Sequence, residues 1–232
     1  MQMNDKDKKK KTPPKKKPRK THSGPIRDKS RTKQQLIDAV GKVIKKKGYA
    51  ALSGPNIAKE AKVHKKLIWT YFGGIDNLVE EFLQQKDFWR VAEKEVVGEM
   101  LEAPEAIGRN EIYTLLESQF KTLLNEELLR KIIHWELERE NKVLRKIADQ
   151  REEMGEHLFN IIEPDFLNAD GVDLRATLAL QIGGIYYLAL HAKSNGSTFC
   201  GIDINEENGE ERILNALMGI INHIYDKAKV KK

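Results

Sequence analysis

Between Thr32 and Leu78 the chain carries three runs of helix-spaced apolar residues separated by very short breaks. Leu36, Ile37, Val40, Val43 and Ile44 recur at the three-four spacing that puts them on one side of a helix, with Lys33, Lys42, Lys45 and Lys46 elsewhere. Three lysines and Gly48 end that helix. Cations favour its negative C-terminus, and glycine takes the backbone conformation needed just past the end. Ser53 is then an N-cap, Pro55 fits a first turn, and Ile57, Ala58 and Ala61 supply the inner face of a short second helix. Only Lys62 and Val63 separate it from a third, carried by His64 to Gly74, HKKLIWTYFGG. A short helix, a turn of about four residues and a second short helix form the helix-turn-helix pattern.

That third segment holds two lysines, a tryptophan and a Tyr-Phe pair in little more than three turns. Two readings fit it: a buried helix with snorkelling lysines, or a surface made to lie against a polyanion. Charge distribution favours the second. Residues 1–33 hold fourteen Lys or Arg and three Asp, whereas the totals of 41 and 35 leave 27 bases and 32 acids for the remainder. A basic arm on a mildly acidic body is the footprint of a nucleic-acid partner. Lys6 to Ser30 is nearly free of apolar residues and carries four of the seven prolines, so residues 1–31 are expected to be a disordered basic tail.

Beyond Gly73-Gly74 a long helix is expected from about Ile75 to Met100, with Leu78, Phe82, Trp89, Ala92 and Val96 on its apolar side. Further helices are expected at about Glu111 to Leu124, Glu126 to Ile162 with a break near Asn141, Leu174 to Ser194 and Glu206 to Lys227. A polar loop, NGSTFCGIDINEEN, precedes the last. No segment alternates as a strand does, and nothing repeats. The expected fold is all-α, an N-terminal three-helix helix-turn-helix domain followed by a C-terminal helical bundle. The most apolar stretch, Ala176 to Ala192, contains Gln181 and His191 and falls short of the ~20 residues of a spanning helix, so no membrane association is expected. One cysteine, Cys200, excludes an internal disulfide. Without a leader-like apolar run, a cytoplasmic location is expected.

The run from Gln34 through GYAALSGPNIAKEAKVHKKLIWTYFGGIDNL resembles the N-terminal domain of TetR-type transcriptional repressors. An amphipathic first helix, the Gly48-Tyr49 turn, Ser-x-x-x-Ile-Ala opening the second helix and an aromatic-x-Tyr-Phe signature carry the likeness. The resemblance implies a TetR-like protein with a DNA-binding domain at 32–78 and an effector-binding and dimerisation domain at 79–229. It implies that Val63, Ile68 and Phe72 anchor the recognition helix in the core. Ser53, His64, Lys65, Lys66, Leu67, Trp69, Thr70 and Tyr71 fall where the family meets double-stranded DNA. The chemistry agrees: lysine donates to guanine O6 and N7 in the major groove, while indole N–H and phenol O–H reach phosphate oxygens.

Four positions depart from the family pattern. Lys62 stands where the turn normally has glycine, and a left-handed lysine costs roughly 1–2 kcal/mol. Pro55 replaces a DNA-contacting side chain, His64 replaces the Ser/Thr cap, and Ile75-Asp76 replaces the lysine that opens the fourth helix. The basic tail is expected to supply phosphate contacts in their place.

The family wraps a small-molecule effector with helices on which Trp89, Phe120, His134, Trp135, Glu138, Tyr186 and Tyr187 lie; the aromatics among them serve equally as core or interface. Its last two helices form a homodimer, which points to Ile182, Ile185, Leu190, Ile213, Leu217, Ile220, Ile221 and Ile224. His134 and Glu138 share a helix face but lack a third ligand, so no metal is expected. No cofactor motif and no nucleophile-base spacing is present, and no enzymatic activity is expected. Together these imply a sequence-specific regulator, a ligand-released repressor on a pseudo-palindromic operator. The alternative is a constitutive, weakly specific nucleic-acid binder that uses its tail.

Overall fold

The computed structural model describes residues 25–86, 102–138, 140–167, 169 and 171–229, without the side chains of 25–28 and 105. Among them nine α-helices are present: α1 (Pro25–Lys47), α2 (Gly54–Ala61), α3 (Lys66–Phe72), α4 (Ile75–Lys86), α5 (Arg109–Asn125), α6 (Glu127–Glu138), α7 (Lys142–Ile162), α8 (Leu174–Asn195) and α9 (Glu207–Lys227). The fold is all-helical, as the periodicity requires. The described part of α4 ends at Lys86, so Trp89 and the rest of the helix expected up to Met100 lie outside the described residues.

The predicted break near Asn141 is real and has a local cause. Asn141 adopts extended backbone (φ −145°, ψ 123°), and its side-chain oxygen accepts from the N–H groups of Val143 and Leu144 at 2.9 and 3.1 Å. It thereby caps α7 and separates it from α6. At its other end α1 departs from expectation, beginning at Pro25 rather than Thr32. Proline at a first helical position sacrifices no bond and arrives with its φ already helical, so the polar residues 25–31 extend the amphipathic helix behind them. The loop before α9 also holds more order than its composition implies. Phe199 and Ile202 exchange backbone hydrogen bonds of 2.9 and 3.0 Å around Cys200 and Gly201, both at positive φ (52° and 73°).

Two apolar cores result. One joins α1–α4 through Leu36, Val40, Ile44, Ile57, Ile68 and Phe82, and extends into α6 and α7 through Ile132, Trp135, Leu144 and Ile147. The other joins α5–α9 around Leu116, Phe120, Leu123, Ile185 and Ile221. Gly41 lets α4 approach α1 closely, since a Cβ there would stand 2.9 Å from the Phe82 ring. No helix among the described residues is long and apolar enough to cross a membrane.

Candidate nucleic-acid interface and effector cavity

The two short helices are held by one buried contact layer and by caps at their ends. Ile57 and Ile68 are fully buried, each worth roughly 1.5–3 kcal/mol of transfer free energy. Ser53 Oγ accepts from Asn56 N–H at 3.4 Å to begin α2, and Asn56 Nδ2 donates to the Ala51 carbonyl at 2.8 Å. Past the end of α2, Lys62 is left-handed (φ 56°, ψ 39°), the conformation that the missing glycine leads one to expect. Val63 N–H donates to Ala58 O at 3.1 Å and Lys62 N–H to Lys59 O at 3.2 Å, the paired bonds of a Schellman end. This turn sets the angle between the helices.

His64 takes over from the absent Ser/Thr cap. Its Nδ1 accepts from Lys66 N–H at 3.3 Å, and its carbonyl accepts from Leu67 N–H at 3.0 Å. At the far end Gly73 (φ 77°) donates to Trp69 O at 2.9 Å, and Asn77 Nδ2 donates to Phe72 O at 2.7 Å. So fixed, α3 buries Ile68 and turns the opposite side outward: Lys65, Lys66, Trp69 and Thr70 are exposed, with Leu67 and Tyr71 half-buried beside them. Trp69, half exposed at 50%, lies against the first turn of α2, where a Cβ on Gly54 would stand 3.0 Å from its ring. A side chain at Gly54 would crowd the indole, which would have to shift by a few tenths of an ångström. Basic residues of α1 border this surface, with Lys29 Nζ 5.8 Å from the Tyr71 ring centroid and Lys33 Nζ 5.5 Å from that of Phe72. Pro55 is exposed at the start of α2, and Asp76 stands in the first turn of α4. Neither offers a cation to phosphate.

This unit is tied to α6 and α7. Tyr49, just after α1, stacks on Trp135 with centroids 5.3 Å apart and planes 4° from parallel. Lys131 Nζ donates to the Lys45 carbonyl at 2.7 Å, and Lys146 pairs with Glu80. Trp135, one of the expected effector-pocket residues, is therefore placed between the helix-turn-helix and the bundle rather than at a cavity wall.

A cavity of about 260 Å³ lies between α5, α6, α7 and α8. Leu115, Leu116, Leu158, Phe159, Leu178 and Ile182 make its apolar wall, and Glu136, Arg151, Glu152 and Tyr186 its polar part. Arg151 donates to Glu136 at 2.9 Å. Of the residues expected at the pocket, Tyr186 lines it and accepts from Gln119 Nε2 at 2.7 Å. Phe120 is fully buried in the bundle core behind the wall. His134 and Glu138 are exposed on α6, where His134 Nε2 meets Ser194 Oγ at 3.4 Å. Tyr187 is on the outer side of α8, packed with His191 and Phe199. Glu136, Arg151, Glu152 and Gly155 were not singled out by sequence, since nothing in their local pattern shows that α6 and α7 converge there. Among the described residues no three His, Cys, Asp or Glu converge on a metal position.

The residues expected at a dimer seam divide. Ile185, Leu190, Leu217, Ile221 and Ile224 are buried within the chain's own core, and Ile182 faces the cavity. Ile213 is half-buried and Ile220 is 43% exposed. These two join Leu180, Gly184, Leu188 and Ala216 along an open apolar groove between α8 and α9.

Residues 32–82 match the family described as bacterial regulatory proteins, tetR family. The fold is similar to the fatty acid degradation regulator FadR of Bacillus halodurans, with a TM-score of 0.60 and 20% identity over 81% of this chain and 95% of that one. It is also similar to the transcriptional regulator FadR of Bacillus subtilis, solved in complex with stearoyl-CoA (0.58, 19%, 81% and 98%). NalD of Pseudomonas aeruginosa, the secondary repressor of the MexAB-OprM multidrug efflux pump, shares the fold as well (0.55, 17%, 81% and 96%). No curated protein matches the sequence.

Proposed function

We propose, on the premise that residues 32–82 form the N-terminal domain of a bacterial regulatory protein of the tetR family, that this chain is a DNA-binding transcriptional regulator. In this reading it acts as a dimer and is released from its operator by a small molecule. The observation that carries the proposal is the outward side of α3: Lys65, Lys66, Trp69 and Thr70 exposed together on a helix whose opposite side is locked into the core by Ile68. Such a helix fits the major groove. Its lysines reach guanine acceptors, Leu67 reaches a thymine methyl, and Trp69, Thr70 and Tyr71 reach the backbone. Lys29 and Lys33 on α1 add charge beside it.

One short recognition helix gives modest specificity. The groove of Leu180, Gly184, Leu188, Ile213 and Ile220 supports pairing with a second copy, since an open apolar surface of this kind is best explained by a partner. Two recognition helices then meet half-sites about one helical turn, ~34 Å, apart. Release works as a population shift. The cavity reaches Glu136 on α6, and the adjacent Trp135 stacks on Tyr49 at the end of α1. A ligand that prefers one placement of α6 thereby biases the placement of the helix-turn-helix. The stearoyl-CoA complex of the Bacillus subtilis regulator agrees with ligand control in this fold.

The test is fluorescence anisotropy near physiological salt, using duplexes that tile the gene's own upstream region. Tight binding of two chains to one pseudo-palindromic segment is expected, together with loss of sequence preference in Lys65→Ala. Uniform weakening of that variant on every duplex, or equal binding to a scrambled duplex, identifies a charge-driven, weakly specific binder instead.

A further inference from the structure

The charges around the cavity constrain which ligand it admits. Its only lining cation among the described residues is Arg151, whose side chain is 12% exposed and already donates to Glu136 at 2.9 Å. Glu152 also lines the cavity, is exposed, and forms no ion pair among the described residues. Behind the wall, the guanidinium of Arg175 lies 4.4 Å from the centroid of the lining Phe159 ring. That guanidinium donates to Glu163 at 3.0 and 2.9 Å and to Glu156 at 2.5 and 3.1 Å. The Arg175 hydrogen bonds hold both carboxyls below the usual carboxylate range, so both are charged at neutral pH. The Arg175 cluster is partly exposed and outside the lining, so the cavity wall itself carries two carboxylates, Glu136 and Glu152, to one guanidinium, which is already bonded to Glu136.

An anionic head group entering this site finds its one lining guanidinium already bonded to Glu136 and meets the Glu152 carboxylate as a like charge. A cationic head group meets the opposite situation, with Glu152 in surplus and the Tyr186 ring among the lining side chains. The rest of the molecule must then be apolar, because Leu115, Leu116, Leu158, Leu178 and Ile182 offer no polar partner.

Resting on the reading of this cavity as the effector site, we propose that the effector is an amphiphilic organic cation, an ammonium or amidinium head at Glu136 and Glu152 with an apolar body in the cavity. This chemistry is distinct from an acyl-CoA, whose phosphates carry several negative charges.

The experiment titrates the full chain with decyltrimethylammonium, decanoate and decanol, each below its micelle concentration, by isothermal calorimetry. The ammonium is expected to bind at least ~tenfold tighter than decanoate, with decanol between. The double substitution Glu136→Gln and Glu152→Gln is expected to weaken the ammonium by about tenfold and to leave decanol unchanged. Gly155 provides the control for location. It lines the cavity, and a Cβ there meets nothing within 4 Å, so Gly155→Leu starts its side chain from an unobstructed helical position and puts bulk into the space. Its fold is verified by circular dichroism, and all three probes should lose binding. Decanoate or decanol binding as tightly as the ammonium overturns the cationic assignment and leaves the cavity as the effector site. Binding that survives Gly155→Leu, or no binding of any probe, overturns the cavity reading as well.

Discussion

Lys62 is the residue at which a local strain and the geometry of the helix-turn-helix coincide. It holds φ 56° and ψ 39° between α2 and α3, is exposed, and donates its N–H to the end of α2. In this conformation a Cβ crowds the following carbonyl, costing roughly 1–2 kcal/mol. Glycine removes that cost but gives up more chain entropy on folding, about 0.5–1 kcal/mol. The expected net gain for Lys62→Gly is therefore about 0.5–1 kcal/mol. Lys62→Ala isolates the cause, because it removes the same charge and side chain but keeps the Cβ. In thermal and urea unfolding, the glycine variant should melt above the alanine variant, by ~2–4 °C per kcal/mol for a chain of this size. Both variants should show a similar small drop in DNA affinity, since each removes one positive charge. Equal melting points for glycine and alanine would refute the argument that the turn is strained at this residue.

Burial, helped by Asp165 and Glu111, pushes the Tyr225 hydroxyl up to about 12 from its ordinary 10. Its folded state thus keeps a proton that the unfolded chain releases. The associated stability is complete below pH 10 and falls by up to about 1.4 kcal/mol per pH unit between 10 and 12. Tyr225→Phe keeps the edge-on contact with Phe166 and should show a shallower alkaline decline in urea titrations at pH 9, 10 and 11. Removing residues 1–24 should flatten the salt dependence of DNA binding by several units of log–log slope, at ~0.9 for each phosphate no longer neutralised; an unchanged slope assigns that neutralisation to the rest of the chain alone. The Tyr49–Trp135 stack should register in a double-mutant cycle to alanine as a coupling of about 0.5–1.5 kcal/mol in urea unfolding, and a coupling near zero would remove it from the proposed route of release.

The helix-turn-helix was legible because its determinants are local. Apolar spacing in α1 and α2, the Ser53 cap, the glycines at 48 and 73 and the Asn141 break all act through residues within a turn or two, and the helices begin and end close to where these signals put them. Even the left-handed backbone at Lys62 was implied, though only by the resemblance that puts glycine at this turn position. The start of α1 was not legible. Residues 25–31 are polar enough to read as tail, and only continuity with the amphipathic helix behind them makes them helical.

Side-chain destinations in the bundle belong to the tertiary structure. An aromatic on an amphipathic helix reads the same in sequence whether it lines a cavity, fills a core or meets another unit. Packing separates these fates, sending Tyr186 to the cavity, Phe120 behind it, Trp135 onto Tyr49 and Tyr187 outward. The pairing of Glu136 with Arg151 joins two helices across a capped break, and the Arg175 cluster joins residues twelve and nineteen positions apart. Sequence alone determined that this chain is helical and presents a basic, aromatic-bearing helix, because both follow from interactions between near neighbours. The cavity, its charge and the link from α6 to the helix-turn-helix were decided only by tertiary packing, because burial and charge pairing there depend on which helix faces meet.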